Sequence, residues 1–335
     1  MTDSGVLLII VVVCALLFDY INGFHDTANA IATSVSTRAL SPRRAVVIAA
    51  VLNFVGALYS TGVAQTIAKD IVPPALVSQE MIIAALIGAI FWNLITWYFG
   101  IPSSSSHAII GGLVGATISR VGFQAVEWAG FSKILAALLL SPMLGLLLGY
   151  CMMKLLVALF GRFSPSQINN SFRRLQVLSA ALLAFNHGSN DAQKSMGIIT
   201  MALVAAGLQN PLSLEPHLWV KFICALAMAC GTAFGGWKII RTMGGKIFKL
   251  EPINGFAADL SSSLIIWVAT AFPGLHAPVS TTHVVSGSII GVGMAKRISA
   301  VRWGIAQQMV FTWVVTIPST AIVSGLIYRL ISYVL

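Results

Sequence analysis

Apolar residues run down this chain in long blocks separated by short polar connections, a pattern with neither the alternation of half-buried strands nor the single polar face of surface helices. A helix needs about 20 apolar residues to cross a bilayer core. Blocks of or near that length lie at 6–18 running on toward Val35, and at 45–67, 81–99, 134–160, 219–237, 256–272 and 304–330. Shorter pieces lie at 103–118, 175–185, 192–208 and 280–294. The pattern predicts an all-α polytopic membrane protein of about ten to twelve helical elements, with no room for a soluble domain. Its longest polar connection, "GRFSPSQINNSFRR" at 161–174, separates halves at 1–160 and 175–335.

Composition agrees with a lipid environment. Of 335 residues 57% are apolar and only 9% are charged, and mean hydropathy is +0.89, where soluble domains carry about 25% charged residues. The 20 Lys and Arg exceed the 10 Asp and Glu. They fall in short loops, without the basic, aromatic-rich soluble face that nucleic-acid binding requires, so the excess is read as membrane topology. The first apolar block follows Asp3 and has no basic leader, so the chain is expected to begin at Met1 without a cleaved signal. Cys14, Cys151, Cys224 and Cys230 all lie in apolar blocks with no paired spacing, which predicts buried free thiols.

The halves repeat one another. At an offset of 176, Pro102, Ser104, Ser105, Ser106, His107, Gly111 and Gly115 fall on Pro278, Ser280, Thr281, Thr282, His283, Gly287 and Gly291. At an offset of 165, Gly23 and Asp26 of "NGFHDTANAIAT" fall on Gly188 and Asp191 of "NHGSNDAQKSMGIIT". Basic residues orient the halves, since short cytoplasmic loops collect Lys and Arg. Arg38, Arg43 and Arg44 mark a cytoplasmic loop whose counterpart "LQNPLSLEPH" has none, whereas the next pair reverses, with Lys238, Arg241, Lys246 and Lys249 in the second half. The expected arrangement is an inverted repeat with 161–174 as a cytoplasmic linker and both termini outside, an architecture of secondary transporters.

In such a fold the site lies where helices break at the midplane. Asp26 and Asp191 are carboxylates inside apolar segments, where a charge at a helix centre costs about 2.5–3.5 kcal/mol. Glycine and the amides Asn22, Asn29, Asn186, Asn190 and Gln193 surround them, so the helices are expected to be interrupted there. We read Asp26, Asn29, Asn190 and Asp191, with Asn22 and Gln193, as a set of cation ligands. At Pro102 and Pro278 a short helix begins with hydroxyls in its first turn, where free N–H groups and the positive dipole end favour an anion. Ser104, Ser105, Ser106, Ser280, Thr281 and Thr282, with Lys194 as a nearby point charge, form the candidate anion set. Plain N-capping and close helix packing are the structural alternatives. Lys194 equally suits an ion pair with Asp191. His107 and His283 are expected to bond their helix ends. Asp259 has no counterpart at Ile83, and Asp19 lies two turns before Asp26, facing either the same cavity or the membrane surface.

The segments "NGFHDTANAIAT", "HGSNDAQKSMG", "PSSSSHAIIGG" and "PVSTTHVVSG" resemble the signatures of the inorganic phosphate transporter (PiT) family, particularly its bacterial type, across essentially the whole chain. The resemblance implies an inverted-repeat secondary transporter of the cell (inner) membrane. It would take up phosphate, or in some bacterial branches a metal–phosphate complex, with a driving sodium ion or proton and no other cofactor; a related class carries sulfate. It places the coupling cation at Asp26, Asn29, Asn190 and Asp191, the anion at Ser104, Ser105, Ser280 and Thr281, and implies a homodimer. Phe24 and His25 replace the family's commoner small residue and asparagine, which leaves sodium and proton both open. Arsenate is the expected competitor, sharing the shape and protonation of phosphate. An intramembrane serine hydrolase is disfavoured because adjacent Ser106 and His107 point about 100° apart on a helix, and one catalytic centre needs no second copy.

Overall fold

The computed structural model describes residues 3–272 and 274–334 and is all helix, with no strand among the described residues. Met1, the expected start, and Leu335, the end of the second half, lie outside them. The helices are α1 (Asp3–Ser36), α2 (Pro42–Ala57), α3 (Gly62–Asp70), α4 (Gln79–Phe99), α5 (Ser105–Arg120) and α6 (Trp128–Phe160), followed by α7 (Pro165–Ala205), α8 (Leu218–Phe234), α9 (Trp237–Arg241), α10 (Pro252–Ala271), α11 (Thr281–Lys296) and α12 (Trp303–Val334). By length and apolar character α1, α4, α6, α10 and α12 can each cross a bilayer. Two bent pairs, α2–α3 at 66° and α8 with the α9 segment at 61°, raise the number to seven. Large apolar side chains such as Leu139, Leu147, Phe311 and Val314 are exposed on the outside, as a lipid-facing surface requires. This is a multi-pass membrane protein.

The two short helices form as the sequence reading expects. Gly100 ends α4 in the left-handed region at φ +67°, which glycine adopts without steric cost. The chain restarts at Ser104, whose side chain accepts from His107 N at 3.2 Å and caps α5. Ser280 accepts from His283 N at 3.3 Å and caps α11. At 16 residues each, α5 and α11 are about 24 Å long, short of a core about 30 Å thick.

Three local expectations are corrected: those for 45–67, for the segments around the two acids and for the cysteines. The run 45–67 is two helices meeting at a bend. The segments around Asp26 and Asp191 are not interrupted: α1 and α7 pass through them unbroken. Their glycines serve close approach, since a Cβ on Gly23 would strike the α8 backbone at Met228 and one on Gly188 the α2 backbone at Asn53. Within the polar stretch 161–174, Pro165 and the Ser164–Gln167 capping box start α7. Of the cysteines expected to be buried, Cys224 is, Cys14 is half-buried, and Cys151 and Cys230 are exposed on the outside of the bundle.

Packing follows the repeat. Helix α1 packs on α8 and α7 on α2, while α5 packs on α12 and α11 on α6. Exchanging the halves exchanges these contacts. The half-helices touch their long partners through glycine: a Cβ on Gly115 would strike the backbone of Ala321, and one on Gly291 that of Leu146. Four of the repeated positions are thereby explained as packing, since Gly111 and Gly287 meet α12 and α6 in the same way.

Candidate functional site

Helices α1 and α7 carry Asp26 and Asp191 into the centre of the bundle, where the starts of α5 and α11 meet them. Ser105 donates to Asp26 Oδ2 at 2.8 Å, and Thr281 donates to Asp191 Oδ2 at 3.1 Å. These bonds are equivalent under the repeat. Thr282 reaches Asp26 Oδ1 at 3.4 Å from the opposite half. Asn29 Nδ2 donates to Thr281 at 3.1 Å and Thr282 at 2.9 Å. Carboxylate, amide and hydroxyl groups from four helices therefore form one cluster. Asp26 is 2% exposed and Asp191 0%.

Basic groups balance the acids unequally. His25 Nδ1 lies 2.6 Å from Asp26 Oδ1, and its Nε2 lies 3.1 Å from Thr96 Oγ1 and 3.3 Å from Ser103 Oγ. Lys194 Nζ donates to Asp191 Oδ1 in a tight, fully buried ion pair. His187 Nε2 lies 3.3 Å from Asp191 Oδ2 but is poorly aligned for a hydrogen bond. One ligand atom each from Asp26, His187 and Asp191 fall within 4.8 Å of one another, a grouping able to hold a cation.

The sequence profile of the phosphate transporter family matches residues 22–167 and 161–324. The chain belongs to the phosphate transporter family. It is 53% identical over 331 residues to a Bacillus subtilis protein named "Probable low-affinity inorganic phosphate transporter", covering 98% of both chains. A Rhizobium meliloti protein of the same name is 47% identical over 323 residues, with 96% of each covered. A solved structure described as the sodium-dependent phosphate transporter superposes with a TM-score of 0.90 at 28% identity, covering 98% of this chain and 100% of that one.

Within this phosphate transporter family member the residues singled out from sequence fall into three groups. Asp26, Asn29, Asp191, Lys194, Ser105, Thr281 and Thr282 are brought together. Ser104 and Ser280 sit at the two helix starts, but their oxygens are engaged in capping. Others turn elsewhere. Ser106 donates to Val279 O at 3.1 Å, Asn190 donates to Thr270 at 2.8 Å, and Asn186 to Ser263. Gln193 points away from the acids, accepting from Ala64 N at 3.1 Å in the first turn of α3. Asn22 is buried with neither side-chain atom hydrogen-bonded among the described residues.

His107 shares a hydrogen bond with Ser104 at 2.7 Å as expected, but His283 stacks between His107 at 4.5 Å and Trp313 at 4.0 Å. Both imidazoles border an apolar cavity of about 470 Å³ between α6 and α12. Asp19 is fully buried within the protein and accepts from Ser195 at 2.7 Å. Asp259 accepts from Thr33 at 2.6 Å and Ser179 at 3.4 Å. The residue that sequence reasoning missed is His187. Its signals were present: it lies one helical turn before Asp191 and falls on Asn22 at the 165 offset.

Proposed function

We propose that this protein imports inorganic phosphate by cation symport, with sodium or a proton as the driving ion, through two halves lying antiparallel in the cell membrane with both termini outside. The observation that carries the reading is the meeting of Asp26 and Asp191, from equivalent helices, at the hydroxyl-bearing starts of α5 and α11. A carboxylate without an ammonium partner next to an anion site repels the anion until a cation neutralises it. A cation at Asp26 displaces the Ser105 hydroxyl, and the Ser105 and Thr281 hydroxyls are rotors that can then turn to the anion. The free N–H groups of both first turns add donors without fixed charge. Filling cation and anion together leaves little net charge to move across the membrane interior, so the loaded assembly crosses and the half-loaded one does not.

Phosphate keeps a proton near neutral pH and can donate a hydrogen bond to a carboxylate, whereas sulfate only accepts, so the acids favour phosphate and its analogue arsenate. The test is uptake of labelled phosphate into proteoliposomes under an imposed sodium or proton gradient. Accumulation driven by one of them supports symport and identifies the ion. Uptake that never exceeds equilibrium under either gradient refutes it.

A further inference from the structure

At the offset of 165 each site residue of the first half has a counterpart in the second: Asn22 with His187, His25 with Asn190, Asp26 with Asp191, and Asn29 with Lys194. The acids are kept and their neighbours are not. Around Asp26, the Oδ1 atoms of Asn22 and Asn29 are buried with no hydrogen-bond partner among the described residues. Those are two free acceptors beside a carboxylate, the donor set of a cation site. Around Asp191 the same two positions carry an imidazole, with His187 Nε2 3.3 Å from the carboxylate, and the Lys194 ammonium that donates to it.

We propose that Lys194 is a tethered cation that takes, at Asp191, the place of a mobile coupling ion, so that the transporter moves one coupling cation fewer per phosphate than its two carboxylates would accommodate. The inference rests on the cation symport proposed above. Lys194 is 0% exposed, and a lysine so deeply buried is tolerated only when its charge is paired. Its ammonium carries the same charge as sodium or a proton and lies against Asp191 Oδ1. Thr281 holds the other oxygen, Oδ2, at 3.1 Å, so the lysine neutralises the acid without removing the hydroxyl from the helix start. Being covalently attached, it returns with the protein and carries no net charge across. In the first half the equivalent side chain is the amide of Asn29, which holds Thr281 and Thr282 and keeps its oxygen free. Asp26, whose basic neighbour is the His25 imidazole at 2.6 Å and not an ammonium, is therefore the acid left for the mobile ion.

The deciding variant is Lys194→Asn, which places the first half's side chain in the second. In proteoliposomes, wild type is measured first. If its uptake depends on no cation, symport itself fails, independently of Lys194. Given cation dependence, the coupling ratio is obtained from the gradient that just balances a fixed phosphate gradient. The expected result is a cation-to-phosphate ratio higher by one in K194N, and a dependence of uptake on cation concentration steepened by about one order. An unchanged ratio overturns the proposal. Should K194N not transport, the purified variant is titrated with the driving cation and its thermal stabilisation followed; a concentration dependence steeper by one ion supports the tethered cation, and one unchanged from wild type overturns it.

Discussion

Asn29 donates to Thr282 Oγ1 at 2.9 Å, tying α1 of the first half to the helix start of the second. The same amide nitrogen reaches Thr281 at 3.1 Å. A group beside a carboxylate thus sets the aim of the hydroxyls at the proposed anion position, so that disturbance of one should be felt at the other. Replacing Asn29 with Ala removes two hydrogen bonds worth about 0.5–1.5 kcal/mol each. The phosphate KM and the cation concentration for half-maximal uptake should rise together, by roughly 5-fold or more. Kinetics across a matrix of phosphate and cation concentrations checks it; a rise in only one of the two would show that the sites are independent.

Asp26→Asn should abolish concentrative phosphate uptake while leaving a folded, membrane-inserted protein, since it removes a charge from the membrane interior and adds none. Asp191→Asn should abolish uptake too and also lower stability, because it leaves the buried Lys194 ammonium unpaired. Uptake in proteoliposomes, with size-exclusion profile in detergent as the folding control, separates the two effects. Wild-type accumulation in either variant contradicts the role given to that acid.

Ser105→Ala and Thr281→Ala each delete a hydroxyl that now bonds a carboxylate. Hydrogen bonds to charged groups are worth about 1.5–3 kcal/mol, so phosphate KM should rise by on the order of tenfold or more in each. Because the two bonds are equivalent under the repeat, the effects should be of similar size. A phosphate affinity unchanged in both single variants and in the double variant would reduce these hydroxyls to helix caps.

Excess arsenate should inhibit labelled phosphate uptake strongly and excess sulfate weakly, because only the protonated oxyanion can bond a carboxylate oxygen instead of being repelled by it. Equal inhibition by the two would promote sulfate as the natural cargo.

The contacts of Gly115 and Gly291 leave no space for a side chain. Gly115→Leu should therefore lower thermal stability in detergent by about 1–3 kcal/mol or prevent folding, with Gly291→Leu behaving alike. Gly245, beside which a Cβ would meet nothing within 4 Å, supplies the control: Gly245→Ala should leave the melting temperature nearly unchanged.

The duplicated hydroxyl and acid motifs could be read directly, because two fixed offsets align side chains of matching chemistry and because capping serines announce helix starts. The unbroken course of α1 and α7 could not. Gly23 and Gly188 carry the marks of helix breakers, and only the position of α8 and α2 shows that they admit a neighbouring backbone. Nor does sequence tell which way an amide on a central helix turns: Gln193 and Asn29 look alike beside their acids, yet one serves α3 and the other the helix start of α11. His187 was hidden among several polar neighbours until its distance to Asp191 singled it out.

The glycine contacts between each half-helix and a long helix of the opposite half also set a timetable. Ser119 near the end of α5 donates at 2.9 Å to Gly325 O on α12, 206 residues later in the chain. At a synthesis rate of about 5–20 residues per second, α5 is finished roughly 10–40 s before its partner in the second half exists. Helix α11 meets no such delay, because α6 is already in place when α11 emerges. A fold whose halves repeat each other is therefore assembled unevenly, with α5, too short to span and resting on α4 alone until α12 arrives, as the segment most in need of protection by insertion factors during translation.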